Sequence, residues 1–188
     1  MKKYIIILVK ILFLCACDMK GAPSLKVSEY LDSYNSLSEP VIQDMETAIQ
    51  AENLTSENTS LYREVLMKQY KDLKYDIVEE NIEGDKAIVK VKITVYDLHN
   101  SKVESENYMN EHQDEFMDAD NLFDDIAYMK YRLEKMFEVK DTITHDIEFN
   151  LTKENDEWKI NDIDRVTLEK IHGLYNYNNW DQKNLIFF

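Results

Sequence analysis

Cysteine, glycine and proline are all scarce in this chain of 188 residues, which holds two cysteines, three glycines and two prolines. Because Gly21, Gly84 and Gly173 lie far apart, the sequence has none of the glycine-rich loops that cradle phosphate groups. It also lacks the G-x-S-x-G nucleophile elbow and the H-E-x-x-H zinc motif. These absences exclude the common enzyme classes that are built on those motifs.

Both cysteines, Cys15 and Cys17, lie at the N-terminal end of the chain. A disulfide framework or a catalytic thiolate is therefore not expected in the rest of the sequence. A zinc site is not indicated either, because such a site needs further Cys or His ligands and the nearest histidine is His99.

The first residues have the pattern of a secretory signal. Lys2 and Lys3 precede an apolar run over residues 4–14 that only Lys10 interrupts. As a helix this run would extend about 16 Å, whereas a bilayer core is about 30 Å thick. A short positive start followed by a short apolar run is typical of a signal peptide, which we place at residues 1–16.

Residues 14–17, Leu-Cys-Ala-Cys, resemble the lipobox of bacterial lipoproteins, in which an aliphatic residue and two small residues precede a lipid-bearing cysteine. The resemblance implies cleavage after Ala16 and a thioether-linked diacylglycerol on Cys17, with Cys15 discarded. It also implies a protein attached by this lipid to the extracytoplasmic face of a bacterial membrane.

Positive charge is in short supply, with 22 Lys and Arg against 37 Asp and Glu and a formal net charge of −15. Such a field repels phosphate backbones and anionic lipid headgroups, so nucleic acid is not expected as a partner. Membrane attachment is expected from the lipid on Cys17 and not from a basic patch. The acidity would suit cations or a basic partner, or would simply form a solvated surface.

Helical spacing of apolar residues predicts helices over 28–52 and 56–72, with a kink or a second start at Pro40. The preceding residues 17–27 are predicted to be the lipidated cysteine and a tether. A single domain is predicted over 28–176.

Two β-hairpins follow from period-2 alternation. Residues 86–98 place apolar side chains on one face of a strand, and 73–82 alternate more weakly across a turn at Gly84 and Asp85. A second pair of strands flanks a turn at 153–156. Between the hairpins, residues 105–137 have helical spacing and predict a long helix.

Residues 166–176 predict a short helix, and 177–188 show no period and predict an irregular tail. The predicted fold is therefore α+β, with N-terminal helices packed on a curved antiparallel sheet that is built from two hairpins with a long helix between them.

This order of elements resembles the nuclear transport factor 2-like superfamily over residues 28 to about 170. The matching motifs are the Gly84-Asp85 turn before the alternating strand and Trp158-Lys159-Ile160 in the closing strand. The resemblance implies a sheet wrapped around helices with a conical pocket, and homodimers through the open sheet face are common in the superfamily. It implies no single function, since the superfamily hosts enzymes, binding modules and oligomerisation domains.

His145 is predicted to lie in this cone, because it alternates with apolar residues on the inward face of its strand. Enzymes of the superfamily use an Asp or His base with tyrosine donors, and Tyr75 and Tyr96 are the candidate donors here. Trp158 is a further candidate for the pocket wall. No residue is assigned as catalytic.

Acidic residues cluster over 111–125, and hard cations bind such oxygen ligands. The spacing fails the EF-hand pattern, because Leu122 stands where a ligand is needed and no glycine makes the turn. A solvated helix face is the simpler interpretation, so we predict no metal site and no cofactor.

The sequence favours a lipid-anchored, non-enzymatic extracytoplasmic domain that binds a small ligand or another envelope protein. One alternative is a cone-pocket enzyme, isomerase-like or dehydratase-like, that uses His145 with a tyrosine donor. A second is a structural or dimerisation module of the cell envelope.

Overall fold

The computed structural model describes residues 21–177. The predicted signal peptide, the cleavage site at Ala16, the lipid-bearing Cys17 and the tail from residue 178 lie outside the described residues. The elements, in chain order, are α1 (Pro23–Asn35), α2 (Glu39–Ala51), α3 (Ser56–Asp72), β1 (Lys74–Glu83), β2 (Lys86–Tyr96), α4 (Leu98–Glu111), a 3₁₀ turn (Gln113–Phe116), α5 (Asp125–Glu138), β3 (Thr142–Glu154), β4 (Glu157–Ile160) and α6 (Arg165–Ile171).

The four strands form an antiparallel sheet in the order β1-β2-β3-β4. Two-residue turns close both hairpins. Gly84 has a φ of 61°, and Asn155 and Asp156 have φ values of 52° and 65°. Two successive left-handed residues are the signature of a hairpin turn that matches the strand twist. The predicted α+β class and both hairpins are confirmed.

Side chains of β2 and β3 alternate between the two faces of the sheet, whereas the register of β1 shifts between Ile77 and Glu79. The outward face of β2 carries Lys90, which lies opposite Glu79 on β1 and Glu148 on β3. Lys90 Nζ lies 2.9 Å from Glu79 Oε2. This ladder of opposite charges keeps the outward face hydrated. The predicted homodimer through this face stays a prediction, and it would have to desolvate these charges.

The inward face of the sheet packs against the N-terminal helices and forms what we call the sheet-side core. Aromatic rings join its layers, with Tyr34 edge-on to Tyr70 at 5.0 Å between centroids and Tyr30 edge-on to Phe149 at 5.7 Å. Its fully or nearly fully buried apolar residues include Val27, Leu31, Ile49, Val89, Ile93, Phe149, Leu151 and Ile171.

A smaller apolar cluster lies where α3, α4 and α5 meet, and we call it the helix-side cluster. Its buried members are Val65, Leu98, Leu133 and Met136. The molecule therefore has two apolar regions, one organised by the sheet and one made only of helices and the segments that flank them.

The first helix starts earlier than the sequence predicts. It begins at Pro23, five residues before the predicted domain start at 28, because a proline in the first helical turn loses no hydrogen bond. Within 28–52, the second start that was predicted at Pro40 as an alternative to a kink is confirmed. Leu37 takes a φ of 50° between α1 and α2, and α2 restarts just before Pro40, as the proline predicted.

The long helix predicted over 105–137 is likewise two helices, α4 and α5. Asp124 caps the start of α5, since its Oδ1 accepts hydrogen bonds from the backbone N–H groups of Ile126 and Ala127, both 3.0 Å away. Asp118 holds the preceding loop by accepting from the N–H groups of Asp120 and Leu122. Two members of the acidic cluster, Asp118 and Asp124, therefore stabilise the conformation of the backbone between α4 and α5.

Across residues 21–177, every helix is too short or too polar to cross a membrane.

Candidate functional site

The predicted pocket residue His145 lies on the inward face of the sheet and is 8% exposed. Tyr75, Ile93 and His145 form one row across β1, β2 and β3. The His145 ring packs edge-on against Tyr175 at 5.6 Å. The hydroxyl of Tyr75 is engaged elsewhere, because it donates to Asp32 Oδ1 at 2.7 Å.

The other two predicted residues lie farther from this row. Tyr96 donates its hydroxyl to Asp72 Oδ2 at 2.8 Å, and Lys68 Nζ lies 4.3 Å from its ring centroid. Trp158 is buried near the opposite end of β3, where it pairs with Lys153.

None of the four predicted residues lines any of the cavities described below. The enzyme alternative stays a prediction, and this arrangement does not favour it.

Burial lowers the pKa of His145, and the nearby charge of Lys170 lowers it further, while Asp97 and Asp146 oppose both effects. The imidazole is therefore mainly neutral at pH 7. A neutral histidine packed against an aromatic ring is also what an ordinary core position requires.

The structure instead opens a cavity of about 370 Å³ within the helix-side cluster, which we call the helix-side cavity. Pockets that bind small molecules commonly have volumes of about 300–1,000 Å³. Helix α5 forms one wall with Met129, Arg132, Leu133 and Met136. Their spacing of three, four and seven residues from Met129 places all four on one face of the helix.

Helix α4 contributes His99 and Lys102, which lie one turn apart. The backbone N–H of His99 donates to the carbonyl oxygen of Gly173 at 2.9 Å, so the segment after α6 is fixed against the start of α4. Gly173 has a φ of 72°, and a Cβ there would lie 2.3 Å from the carbonyl oxygen of Tyr96. Glycine permits this close approach, which brings Leu174 into the cavity wall.

The remaining wall combines an aromatic residue with charged ones. Tyr62 of α3 lines the cavity beside Glu52, and Arg165 Nε lies 2.7 Å from Glu169 Oε1 on α6. Burial raises the pKa of Tyr62, and Glu52 raises it further while Arg132 lowers it. The phenol therefore stays protonated at neutral pH and is available as a hydrogen-bond donor.

Two residues of this wall each have a buried side-chain nitrogen atom without a hydrogen-bond partner within residues 21–177. The atoms are Nε2 of His99, a residue 9% exposed, and Nε of Arg132. Another nitrogen of Arg132, Nη2, donates to the weak acceptor Sδ of Met129 at 2.9 Å, and the guanidinium group also lies over the ring of Tyr128, 6.0 Å from its centroid. Leaving a buried polar atom unpaired costs about 1–3 kcal/mol, so native proteins rarely keep two in one place.

The charge of the cavity is opposite to that of the chain. Neither Lys102 nor Arg132 forms an ion pair within the described part of the chain, whereas Arg165 and Glu169 neutralise each other. Glu52 is the remaining carboxylate in the wall. The cavity therefore carries a local excess of one positive charge in a chain of net charge −15.

Two other concavities are less suited to binding. A groove of about 350 Å³ lies on the sheet beside Ile88 and Asn150, and one of about 450 Å³ lies between α4 and α5 beside Tyr108 and Tyr131. Over residues 21–177, the two partnerless buried nitrogens both belong to residues that line the helix-side cavity. In the same residues, no three His, Cys, Asp or Glu side chains are grouped to hold a metal ion.

The sequence interpretation missed His99 and Arg132 as site residues. One signal for Arg132 was present, because Met129, Leu133 and Met136 surround it at helical spacing on what reads as the buried face of α5. A charged residue inside an apolar stripe needs a buried partner or a ligand. His99 had no comparable signal.

No family model matches this chain, and no curated protein matches it. It is similar to a crystal structure from Bacillus subtilis described as that of "a putative lipoprotein (ycdA)", with a TM-score of 0.44 and 13% sequence identity. The match covers 73% of this chain and 47% of that chain, so this chain spans about half its length. At this similarity the likeness establishes neither a shared fold nor a shared function.

Proposed function

We propose that this protein is a lipid-anchored, extracytoplasmic binding protein of bacteria that holds a small molecule in the helix-side cavity. The observation that carries the proposal is the buried, partnerless Nε2 of His99, a residue that lines a cavity large enough for a ligand. A bound molecule that pairs with this atom would remove the free-energy penalty of leaving it unsatisfied. Binding without catalysis suits a site in which no nucleophile and base are paired.

The anchor part of the proposal rests on the lipobox at residues 14–17. Helix α1 begins at Pro23, six residues after Cys17, and six extended residues span at most about 20 Å. The lipid would therefore hold the domain close to the bilayer surface. The negative net charge would also repel the domain from anionic headgroups.

We further propose that the fold is a variant of the nuclear transport factor 2-like cone. Helices on the inward face of a four-stranded antiparallel sheet support this relationship. In this variant the sheet-side core would occupy the position of the conical pocket, and the binding site would lie among α3, α4, α5 and α6.

Binding is tested on the lipidated full chain in nanodiscs, with empty nanodiscs as the control for partitioning into lipid. The probes are 3-phenylpropanoate, 3-phenylpropan-1-ol and 3-phenylpropylamine, which share one apolar body. With methyl-labelled methionine, we expect at least one probe to shift the signals of Met129 and Met136 saturably. The signal of Met45, which lies in the sheet-side core, should not move.

A matched pair of tryptophan variants locates the site. Leu174→Trp should fill the cavity and abolish the shifts, whereas Leu25→Trp, on the exposed side of α1, should preserve them. An unchanged Met45 signal shows that the filled variant is folded. The binding function is refuted if no probe gives a saturable shift in the wild type.

The anchor is tested separately by labelling growing cells with a palmitate analogue. The wild type and Cys15→Ser should carry the label and sediment with membranes, because both keep Cys17. Cys17→Ser should lose the label. Label retained by Cys17→Ser would overturn the lipobox assignment without affecting the binding proposal.

A further inference from the structure

We infer that the helix-side cavity takes a small organic anion, with a carboxylate or similar head group held by His99, Lys102 and Arg132 and an apolar body against the methionine face of α5. This inference rests on the proposed binding function and specifies its ligand class. It follows from three features of the cavity wall, which are its charge, its unused hydrogen-bond donors and its apolar side.

The charge of the wall selects an anion. Lys102 and Arg132 have no ion-pair partner within residues 21–177, and Glu52 is the one wall carboxylate outside the pair formed by Arg165 and Glu169. A ligand with one negative charge would bring the wall close to neutrality. A cationic ligand would meet two unpaired positive charges at close range, where the surrounding protein weakens screening.

The unused donors fit an oxyanion. A guanidinium group donates from Nε and Nη in a fixed fork that matches the two oxygens of a carboxylate. One arm of this fork, Nε of Arg132, has no partner among the described residues, and the other arm, Nη2, donates to Sδ of Met129, a weak acceptor that a carboxylate oxygen would replace. Nε2 of His99 donates when the ring is charged, and also in the neutral tautomer that carries its proton on Nε2.

His99 is held in place by the surrounding protein, so this part of the site is formed before a ligand binds. Its backbone N–H is bonded to Gly173, and its ring packs edge-on against Tyr177 at 5.5 Å. Tyr177 in turn donates its hydroxyl to Asp97 Oδ2 at 2.9 Å. An imidazole held from two sides loses little conformational entropy when it binds a ligand.

The apolar side of the wall fits the body of the ligand. Met129, Leu133 and Met136 offer a continuous surface, and methionine side chains adapt to ligands of different shape. The volume of about 370 Å³ lies near the lower end of the range for small-molecule sites. A small anion with one apolar group therefore fits better than a whole phospholipid or a folded peptide.

The three phenylpropyl probes test this inference because they differ only in the head group. With the lipidated chain in nanodiscs, we expect 3-phenylpropanoate to bind roughly tenfold more tightly than 3-phenylpropan-1-ol, because charge-assisted hydrogen bonds are stronger than hydrogen bonds between neutral groups. The amine should bind most weakly. Dissociation constants come from titration of the Met129 and Met136 methyl signals, with the shift in empty nanodiscs subtracted.

Two charge-matched variants on one helix identify the residue responsible. Arg132→Gln should lose the preference for the acid over the alcohol, whereas Lys130→Gln should keep it. Lys130 lies on the same helix outside the cavity, where its Nζ is 2.6 Å from Glu57 Oε1. Folding of each variant is checked by the methyl signal of Met45.

The outcomes separate the ligand class from the binding function. Equal affinity for the acid and the alcohol, or tightest binding of the amine, overturns the anion inference while the cavity remains a binding site. A preference that survives in Arg132→Gln also overturns it. Failure of all three probes to bind refutes the binding function itself, and the ligand class falls with it.

Discussion

The sheet-side core and the helix-side cluster bury similar apolar side chains but treat buried polar groups differently. Beside the sheet-side core, the Asn35 amide donates to the carbonyl oxygens of Tyr70 and Leu73, each at 2.9 Å. In the helix-side cluster, His99 and Arg132 each keep a buried nitrogen without a partner in the described residues. The polar groups beside the sheet-side core find their hydrogen-bond partners within the protein. Those of the helix-side cluster would find theirs in a ligand.

This difference indicates a division of roles between the two regions. Proteins tolerate unsatisfied groups and empty volume mainly where function requires them, and the rest of the fold compensates for the loss of stability. We therefore expect mutations in the sheet-side core to affect mainly unfolding, and mutations around the cavity to affect mainly binding.

Leucine-to-alanine substitutions provide the largest contrast. Leu31 is fully buried in the sheet-side core, and Leu31→Ala should cost about 4 kcal/mol, from lost transfer energy and the cavity created. Leu133 is also buried, but it already borders the helix-side cavity, so we expect its truncation to remove fewer packing contacts. Leu133→Ala should cost only about 2–3 kcal/mol.

Urea unfolding of both alanine variants beside the wild type measures these costs as shifts in the transition midpoint. An equal or larger cost at Leu133 would show that the helix-side cluster is packed as fully as the sheet-side core. The division of roles would then be wrong.

The pH dependence of stability should come largely from the sheet side. His172 packs near Tyr34 and Tyr70, and burial lowers its pKa from 6.5 to about 4, although Glu169 and Asp44 oppose this effect. Between pH 6.5 and pH 4 the unfolded chain therefore binds a proton that the folded chain does not. The free energy of unfolding should fall by about 3 kcal/mol through this window as the pH drops.

The measurement compares urea unfolding of the wild type and His172→Phe at pH 7 and at pH 4. Groups other than His172 contribute equally to both proteins, so the difference isolates this residue. The loss of stability on acidification should be smaller in His172→Phe. The same loss in both proteins would contradict the assignment.

Two glycines allow the same comparison for the backbone, one in a hairpin turn of the sheet and one beside the helix-side cavity. Gly173 and Gly84 both have positive φ, but a Cβ at Gly84 would meet no atom within 4 Å, whereas one at Gly173 would collide with the carbonyl oxygen of Tyr96. Gly84→Ala should cost about 1 kcal/mol through conformational strain alone, and Gly173→Ala about 2–3 kcal/mol. Thermal unfolding measures both costs.

Gly173→Ala should also weaken probe binding, because Leu174 follows it in the cavity wall. Gly84→Ala, in the turn of the first hairpin, should bind probes as the wild type does. Equal binding by both variants would show that the segment after α6 does not shape the cavity.

The sequence predicted the sheet better than it predicted the region where the helices meet. The alternation in β2 identified its buried face residue by residue, because a period of two is read within a single strand. The hairpin turns followed from local residues such as Gly84. The break between α4 and α5 was missed because apolar spacing ran through it, although Asp124 is a recognisable helix cap.

The site was harder to predict than the fold, because it depends on how separate helices meet. His145 alternates with apolar residues and attracted the prediction, yet the structure places it against Tyr175. The cavity joins residues as distant in sequence as Glu52 and Leu174. The periodicity of a single helix or strand does not show contacts between residues so far apart in sequence. Of the two site residues that were missed, only Arg132, a charged residue inside an apolar stripe, could have been found from the sequence.

A substitution at His99 tests the division most directly, because binding and stability should change in opposite directions. His99→Phe keeps a ring of similar size against Tyr177 and removes the buried nitrogen that lacks a partner. Without ligand, the variant should be more stable than the wild type by about 1 kcal/mol. It should also lose part of the preference for 3-phenylpropanoate over the alcohol.

Urea unfolding without probe and methyl titration with both probes measure the two changes in the same protein. A variant that is less stable and binds the acid normally would show that Nε2 of His99 has a structural partner outside the described residues, such as a bound water molecule. A variant that is more stable and less selective would show that the wild type gives up stability at His99 in exchange for recognition, as sites that await a ligand do.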